Sequence, residues 1–138
     1  MPLGNASLVK LASCQPELRR LVSEVSEGVD RGECPGVNDI AVLCGFRGEK
    51  EQNAAYAKKA SRLQWPNSKH NKLPSLAVDM APYPIDWSLA GLPAFRALRK
   101  YTLTVAERLG IKIRIISWDW PHYELSGSPT PAPTRQST

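Results

Sequence analysis

Two long stretches of the chain carry apolar side chains at helical spacing. In the first, Leu18, Leu21, Val22, Val25 and Val29 recur every three or four residues with Arg19, Arg20 and Glu24 between them. That spacing predicts an amphipathic helix, and Pro16 suits its first turn. In the second, Leu92, Phe95, Leu98, Thr102, Val105, Ala106 and Leu109 form one stripe, with Arg96, Arg99, Lys100, Glu107 and Arg108 mostly off it. Gly110 is its stop signal, and the helix reads as scaffold. A weaker pattern predicts a short helix over residues 5–12. The alanine-rich polar segment 49–62 predicts another, from strong helix formers with little apolar stripe.

Strand signals lie between these. Ile40 to Leu43 is a short apolar run ending at Gly45, the mark of a buried strand. Residues 76–81 alternate: Leu76, Val78 and Met80 face one way, and Ala77, Asp79 and Ala81 the other. Asp79 therefore projects between two small side chains that leave room for an ion, and the Pro82-Tyr83-Pro84 run ends the strand. Residues 111–117 predict a further strand, with Ile111, Ile113 and Ile115 on one face. Tyr123 and Leu125 belong to a last one. Segments 31–38 and 64–75 are turn-rich. From Ser126 on, the chain holds Ser, Thr, Pro and Gly, so 126–138 is expected to be a disordered tail behind a single domain over 1–125.

At 138 residues, one domain is expected. Apolar residues make up 42% and charged residues 22%, an ordinary globular balance. No apolar run reaches the roughly 18 to 20 residues of a membrane helix, so no membrane insertion is expected. Net charge is +5, from 18 basic against 13 acidic side chains. That excess suits an anionic partner such as nucleic acid or a carboxylate-rich wall polymer, but the cations are scattered and form no basic block, which argues against nucleic acid. Cys14, Cys34 and Cys44 include no Cys-x-x-Cys pair, so a zinc finger is a poor reading. Reduced thiols are expected, with a Cys34–Cys44 bridge left open. Leu11-Ala12-Ser13-Cys14 resembles a lipoprotein cleavage box, but Pro2, Gly4 and Asn5 interrupt the apolar run that a leader needs. The chain is therefore read as made in the cytoplasm without a signal peptide.

The candidate chemistry is concentrated in two patches. Ser68-Lys69-His70 with Ala77-Val78-Asp79 forms one, and Trp118-Asp119-Trp120-Pro121-His122 the other. The chain has only two histidines, and each has a carboxylate nearby. One such histidine is usually a satisfied structural side chain; two together make a metal site a serious candidate. Catalytic zinc takes three protein ligands, commonly His with a carboxylate. A free carboxylate must then move the proton of the attacking water, and Asp119 is the candidate. Residues three apart in a regular strand face opposite ways, so the backbone must bend at Pro121 for Asp119 and His122 to meet. Arg47, between Gly45-Phe46 and Gly48, reads either as a surface loop arginine or as a bidentate partner for a substrate carboxylate.

Ser68-x-His70, Ala77-x-Asp79 and Asp119-x-x-His122 resemble the signature of the zinc D,D-peptidases. That family includes D-alanyl-D-alanine carboxypeptidases and phage L-alanyl-D-glutamate endopeptidases, and shares a fold with the hedgehog signalling domain. Gly45-Phe46-Arg47, Gln52, Tyr56, Ser68-Lys69-His70-Asn71 and Pro74-Ser75-x-Ala77-Val78-Asp79-x-Ala81-Pro82-Tyr83-Pro84 are similar to the phage branch, over roughly 14–125. The resemblance implies an α+β fold, a small antiparallel sheet with helices packed on it. It implies one catalytic zinc on His70, Asp79 and His122, with Asp119 as base. It also implies Arg47 on the substrate carboxylate or oxyanion, and Ser68 as a polar group beside the substrate. The expected substrate is the stem peptide of bacterial peptidoglycan. The enzyme is expected to be a monomer serving a phage or prophage, made in the bacterial host cytoplasm and reaching the wall after release or as part of a virion. A D-alanyl-D-alanine carboxypeptidase and a non-catalytic wall-binding module remain the alternatives. Two departures accompany the match: His70 and Asp79 are nine apart with Leu76 before Ala77, and Asp119 stands where many relatives have Glu.

Overall fold

The computed structural model describes residues 3–126; the expected tail beyond Ser126 lies outside them. In chain order the elements are α1 (Asn5–Ala12), α2 (Pro16–Asp30), β1 (Ile40–Cys44), α3 (Glu49–Ala57), β2 (Ala77–Pro82), α4 (Leu92–Leu109), β3 (Ile113–Ile115) and β4 (His122–Leu125). The strands form one antiparallel sheet in the order β1-β2-β4-β3. This is the expected α+β architecture.

One face of the sheet carries the core. Val42, Val78, Met80, Tyr123 and Leu125 pack there with Leu18, Leu21, Val22, Val25, Leu98 and Val105 of α2 and α4. Each of those helices supplies one apolar stripe, as the spacing predicts, and α1 covers β1. The Ser7 hydroxyl of α1 accepts the Val42 N–H at 2.9 Å, which satisfies an edge strand that would otherwise expose its ladder. Gly110 closes α4 with φ +72°, the left-handed conformation open to glycine.

Two elements are markedly shorter than the sequence reading. The helix expected over 49–62 stops at Ala57. Lys59 takes φ 62°, and the N–H groups of Ala60 and Ser61 both turn back to the Ala55 carbonyl. The buried Gln52 amide then donates to the Leu63 carbonyl and the Ser61 hydroxyl, folding this segment against α3 instead of extending it. The second is the strand expected over 111–117, which shrinks to Ile113–Ile115. Ile111 N–H is taken by Ala106 O of α4, and the carbonyls of Ile116 and Ser117 by the Arg99 guanidinium. Arg99 thus corrects the reading of α4 as scaffold alone. It is 7% exposed, and bonds to carbonyls, including Asp119 O at 3.0 Å, offset the cost of burying its charge. All three cysteines are free.

Candidate metal centre

The core alternation leaves Asp79 and His122 on the other face of the sheet, directly opposite one another in the β2–β4 register. Cys44 lies across from Asp79 on the far side, so Cys44, Asp79 and His122 form one row over three strands. His70 reaches this row from the 64–75 loop, where Lys69–Asn71 forms a short 3-10 turn. The Ser68 hydroxyl accepts the His70 N–H at 3.2 Å, and the Asn71 carboxamide accepts the Ser68 N–H at 3.0 Å, which caps the turn. Ser68 is buried, and its hydroxyl serves this cap.

His70 Nε2, Asp79 Oδ1 and His122 Nδ1 form a near-equilateral triangle. Its sides are 3.2, 3.2 and 3.3 Å. Three corners of a tetrahedron with bonds of about 2.0–2.1 Å are separated by about 3.3–3.4 Å, so the donor set fits a zinc-sized ion. The outward nitrogens are also committed. His70 Nδ1 is 2.7 Å from the Gly45 carbonyl and His122 Nε2 is 2.7 Å from the Glu124 carboxylate. With those nitrogens donating, the inward ones are the pair that can give up a proton and present lone pairs to an ion, the arrangement that fixes a ligating imidazole. Gly45 can take this position only as glycine, because a Cβ there would collide with the Lys10 carbonyl and the Ser13 hydroxyl at the end of α1. Glu124 is clamped in turn by Lys69 Nζ at 3.2 Å and Arg114 at 3.7 Å.

The charges of these groups are strongly coupled. Burial disfavours imidazolium at His70, but bonds to Asp79 and Cys44 outweigh it and push His70 up to about 10. His122 rises for the same balance of burial against Asp79. Asp79 is held well below the carboxylate range: burial opposes ionisation, and the bonds from His122 and His70 win. A site that draws this much positive charge in its metal-free state suits a cation.

Asp119 precedes β4 in the turn where His122 N–H bonds back to Asp119 O at 3.1 Å. The bend spans the Asp119–His122 stretch, with Pro121 inside it, as expected. Arg99 stacks on Trp120 at 4.0 Å and holds the turn from below. Among the described residues no hydrogen bond reaches the Asp119 carboxylate. Burial first, and the Asp79 charge second, raise its pKa. Arg47 lines the same cleft. Its guanidinium donates to Gln52 at 3.0 Å and lies 3.6 Å from Asp79 Oδ2, and its backbone N–H bonds the His70 carbonyl at 2.8 Å.

Two residues here escaped the sequence reading. Glu124 had a signal: His122-x-Glu124 is a period-two pair on one strand face. Cys44 had none. A bulge between Val42 and Cys44 brings its side chain into the Asp79 row. Cys44, His70 and Asp79 each offer a donor atom within 4.8 Å of the others, a second possible metal set.

Fold and site together define a small α+β protein with a histidine–carboxylate cluster in an open cleft, a donor set that could hold a metal ion. Over residues 1–127 the sequence matches the phage L-alanyl-D-glutamate peptidase family, and the chain belongs to it. The fold is similar to that of the Serratia marcescens L-Ala D-Glu endopeptidase ChiX, with 20% identity, 90% of each chain covered and a TM-score of 0.66. No curated protein matches the chain. Among the described residues no helix is long and apolar enough to cross a membrane.

Proposed function

We propose that the protein is a single-zinc endopeptidase that hydrolyses the L-alanyl–D-glutamyl bond of peptidoglycan stem peptides. His70, Asp79 and His122 would hold the ion. The observation that carries this reading is the 3.2–3.3 Å donor triangle with an unbonded carboxylate beside it. Family membership supports the scissile bond. When bound, zinc supplies a water acidic enough to ionise near neutrality and polarises the carbonyl under attack. Asp119 takes the proton of the attacking water and delivers it to the leaving amine; its raised pKa suits that exchange. Arg47 donates to the oxygen that gains charge as the carbonyl is attacked. Ser68 contributes by fixing the turn that carries His70, and its place in the cleft wall leaves it beside the substrate.

The test is digestion of purified peptidoglycan, with and without a chelator, and mass analysis of the new termini. New N-terminal D-glutamyl ends that vanish with the chelator are expected. Released D-alanine would instead establish a carboxypeptidase, and no cleavage by zinc-loaded protein would leave a wall-binding module. Asp119→Ala should keep its zinc and lose roughly 10²–10⁴-fold in kcat. Full activity in that variant would remove Asp119 as the base.

A further inference from the structure

The cleft continues past the metal centre in two directions, and its two arms differ in chemistry. Arg47, Asp79, Trp118 and Asp119 belong to both. One arm, a cavity of about 310 Å³, has walls that beyond the shared residues bear Arg62, Lys69 and Arg114 against one carboxylate, Glu124. Lys69 is spent on Glu124 and the Leu125 carbonyl; Arg114 approaches Glu124 with one nitrogen only, at 3.7 Å, and is two-thirds exposed, and Arg62 lies over the Trp118 ring at 4.0 Å. Two guanidinium groups therefore line this arm with donors left to offer. The other arm, about 440 Å³, is lined by Leu43, Trp87, Leu92, Phe95 and Trp120. Beyond the shared residues its one charge is Asp86, already bonded to the Ser88 hydroxyl and amide at 2.6 and 2.9 Å. Trp87 is 64% exposed yet fixed, stacked on buried Phe95 with centroids 5.2 Å apart.

Resting on the peptidase reading above, we infer that Arg62 and Arg114 select the free carboxylate on the D-glutamyl side of the scissile bond, and that Trp87 receives the muramoyl sugar on the L-alanyl side. The two ends of that bond differ in the same sense as the arms. The glutamyl residue, linked through its side chain, keeps an anionic α-carboxylate, and a guanidinium fork binds a carboxylate in two parallel bonds. The alanyl residue carries a methyl group and hangs from a pyranose, whose C–H face suits a rigid, flat aromatic surface. A cleft with both arms open also admits a chain on either side of the cut, as an endopeptidase requires.

Zinc-loaded wild-type and variant proteins should be compared on three soluble substrates: a stem peptide with the free D-glutamyl carboxylate, its α-amide, and the same peptide bearing N-acetylmuramic acid. In Arg62→Ala/Arg114→Ala the acid-to-amide ratio of kcat/KM should fall about tenfold or more. In Trp87→Ala the ratio of muramoyl to sugar-free substrate should fall severalfold, and Trp87→Phe should restore most of it. Binding of the same substrates to Asp119→Ala protein by calorimetry should give the same preferences without turnover. Unmoved ratios in a wild type that cleaves the L-alanyl–D-glutamyl bond would overturn the assignment of the arms while leaving the peptidase reading intact. Exchanged effects, with Trp87 governing the carboxylate, would overturn it equally. A wild type that cleaves none of the three substrates removes the peptidase reading and this inference with it.

Discussion

The two histidines reach the same point from opposite kinds of structure. His70 sits in a loop, on one short turn, and apart from the Asp79 contact that both histidines share, the bonds that fix it are neutral: the Ser68 cap, the Arg47 amide on its carbonyl, and the Gly45 carbonyl on Nδ1. His122 sits in a strand. Register with β2 sets its position, and an ionised partner, Glu124, sets its ring. A loop ligand needs a dense local network because its backbone has no ladder to hold it. A strand ligand has the ladder and needs only its ring fixed, here by a charge. Burial works against that charge, but bonds from His122 and Lys69 keep Glu124 ionised below the usual carboxylate range. Lys69 joins the halves, since it precedes His70 and bonds both Glu124 and the Leu125 carbonyl.

The largest effect should come from the strand ligand itself. His122→Ala should lose stoichiometric zinc and all turnover, with affinity falling by more than the roughly 100-fold that loss of a supporting partner costs. Cys44→Ala, in contrast, should keep its zinc, measured by elemental analysis after dialysis. The reverse result would move the centre to the Cys44, His70 and Asp79 set. Next, Glu124→Gln preserves an acceptor for Nε2 but removes the charge. Zinc affinity by competition with a chromophoric chelator should fall roughly 10–100-fold. An unchanged affinity would mean that register alone suffices for His122.

Much of this contrast could be read before any coordinates. The stripes of α2 and α4 are one-sided because each helix has one neighbouring layer, and Asp79 between alanines marks a strand face kept open. The partners of His70 could not be read: the carbonyl of Gly45 and the backbone of Arg47 carry no side-chain signature, and they meet the turn only after the chain has closed on itself. Arg99 was hidden for a related reason. Its periodicity puts it near the helix flank, and only the carbonyls of the 116–119 turn make its burial tolerable. Cys44 was invisible because one extra residue in a strand reverses its facing.

Protons offer a smaller and continuous handle on both histidines. In metal-free protein the raised pKa of His70 gives stability that is complete below its ordinary 6.5 and is lost as pH climbs toward about 10. The depressed pKa of Asp79 gives stability that is present above its ordinary 3.8 and is lost as pH falls below it. Thermal stability without metal should therefore peak between these ordinary values and decline on the alkaline side. Zinc must displace the imidazolium protons, so the added stability from zinc should rise over that same alkaline range, with affinity gaining about tenfold per pH unit for each proton released. Calorimetry at pH 7 in buffers of different ionisation enthalpy should detect release of at least one proton. None released would mean that the imidazoles are already neutral, and that the Asp79 coupling is weaker than the geometry implies.

The smallest expected effect tests the loop alone. Ser68→Ala removes the hydroxyl that accepts the His70 N–H but leaves the Asn71 half of the cap, the Gly45 anchor and the Arg47 bond in place. Loss of such a cap costs about 1 kcal/mol. With His70 still held at its ring and its carbonyl, zinc stoichiometry should survive and the unfolding midpoint should drop by a few degrees, about 4 °C per kcal/mol in a domain of this size. If Ser68 instead contributes mainly by touching substrate, as its place in the cleft wall allows, KM should rise with the midpoint unmoved. A change in the midpoint with KM constant would assign the hydroxyl to the turn. The neutral network around the loop histidine would then be the counterpart of Glu124 on the strand.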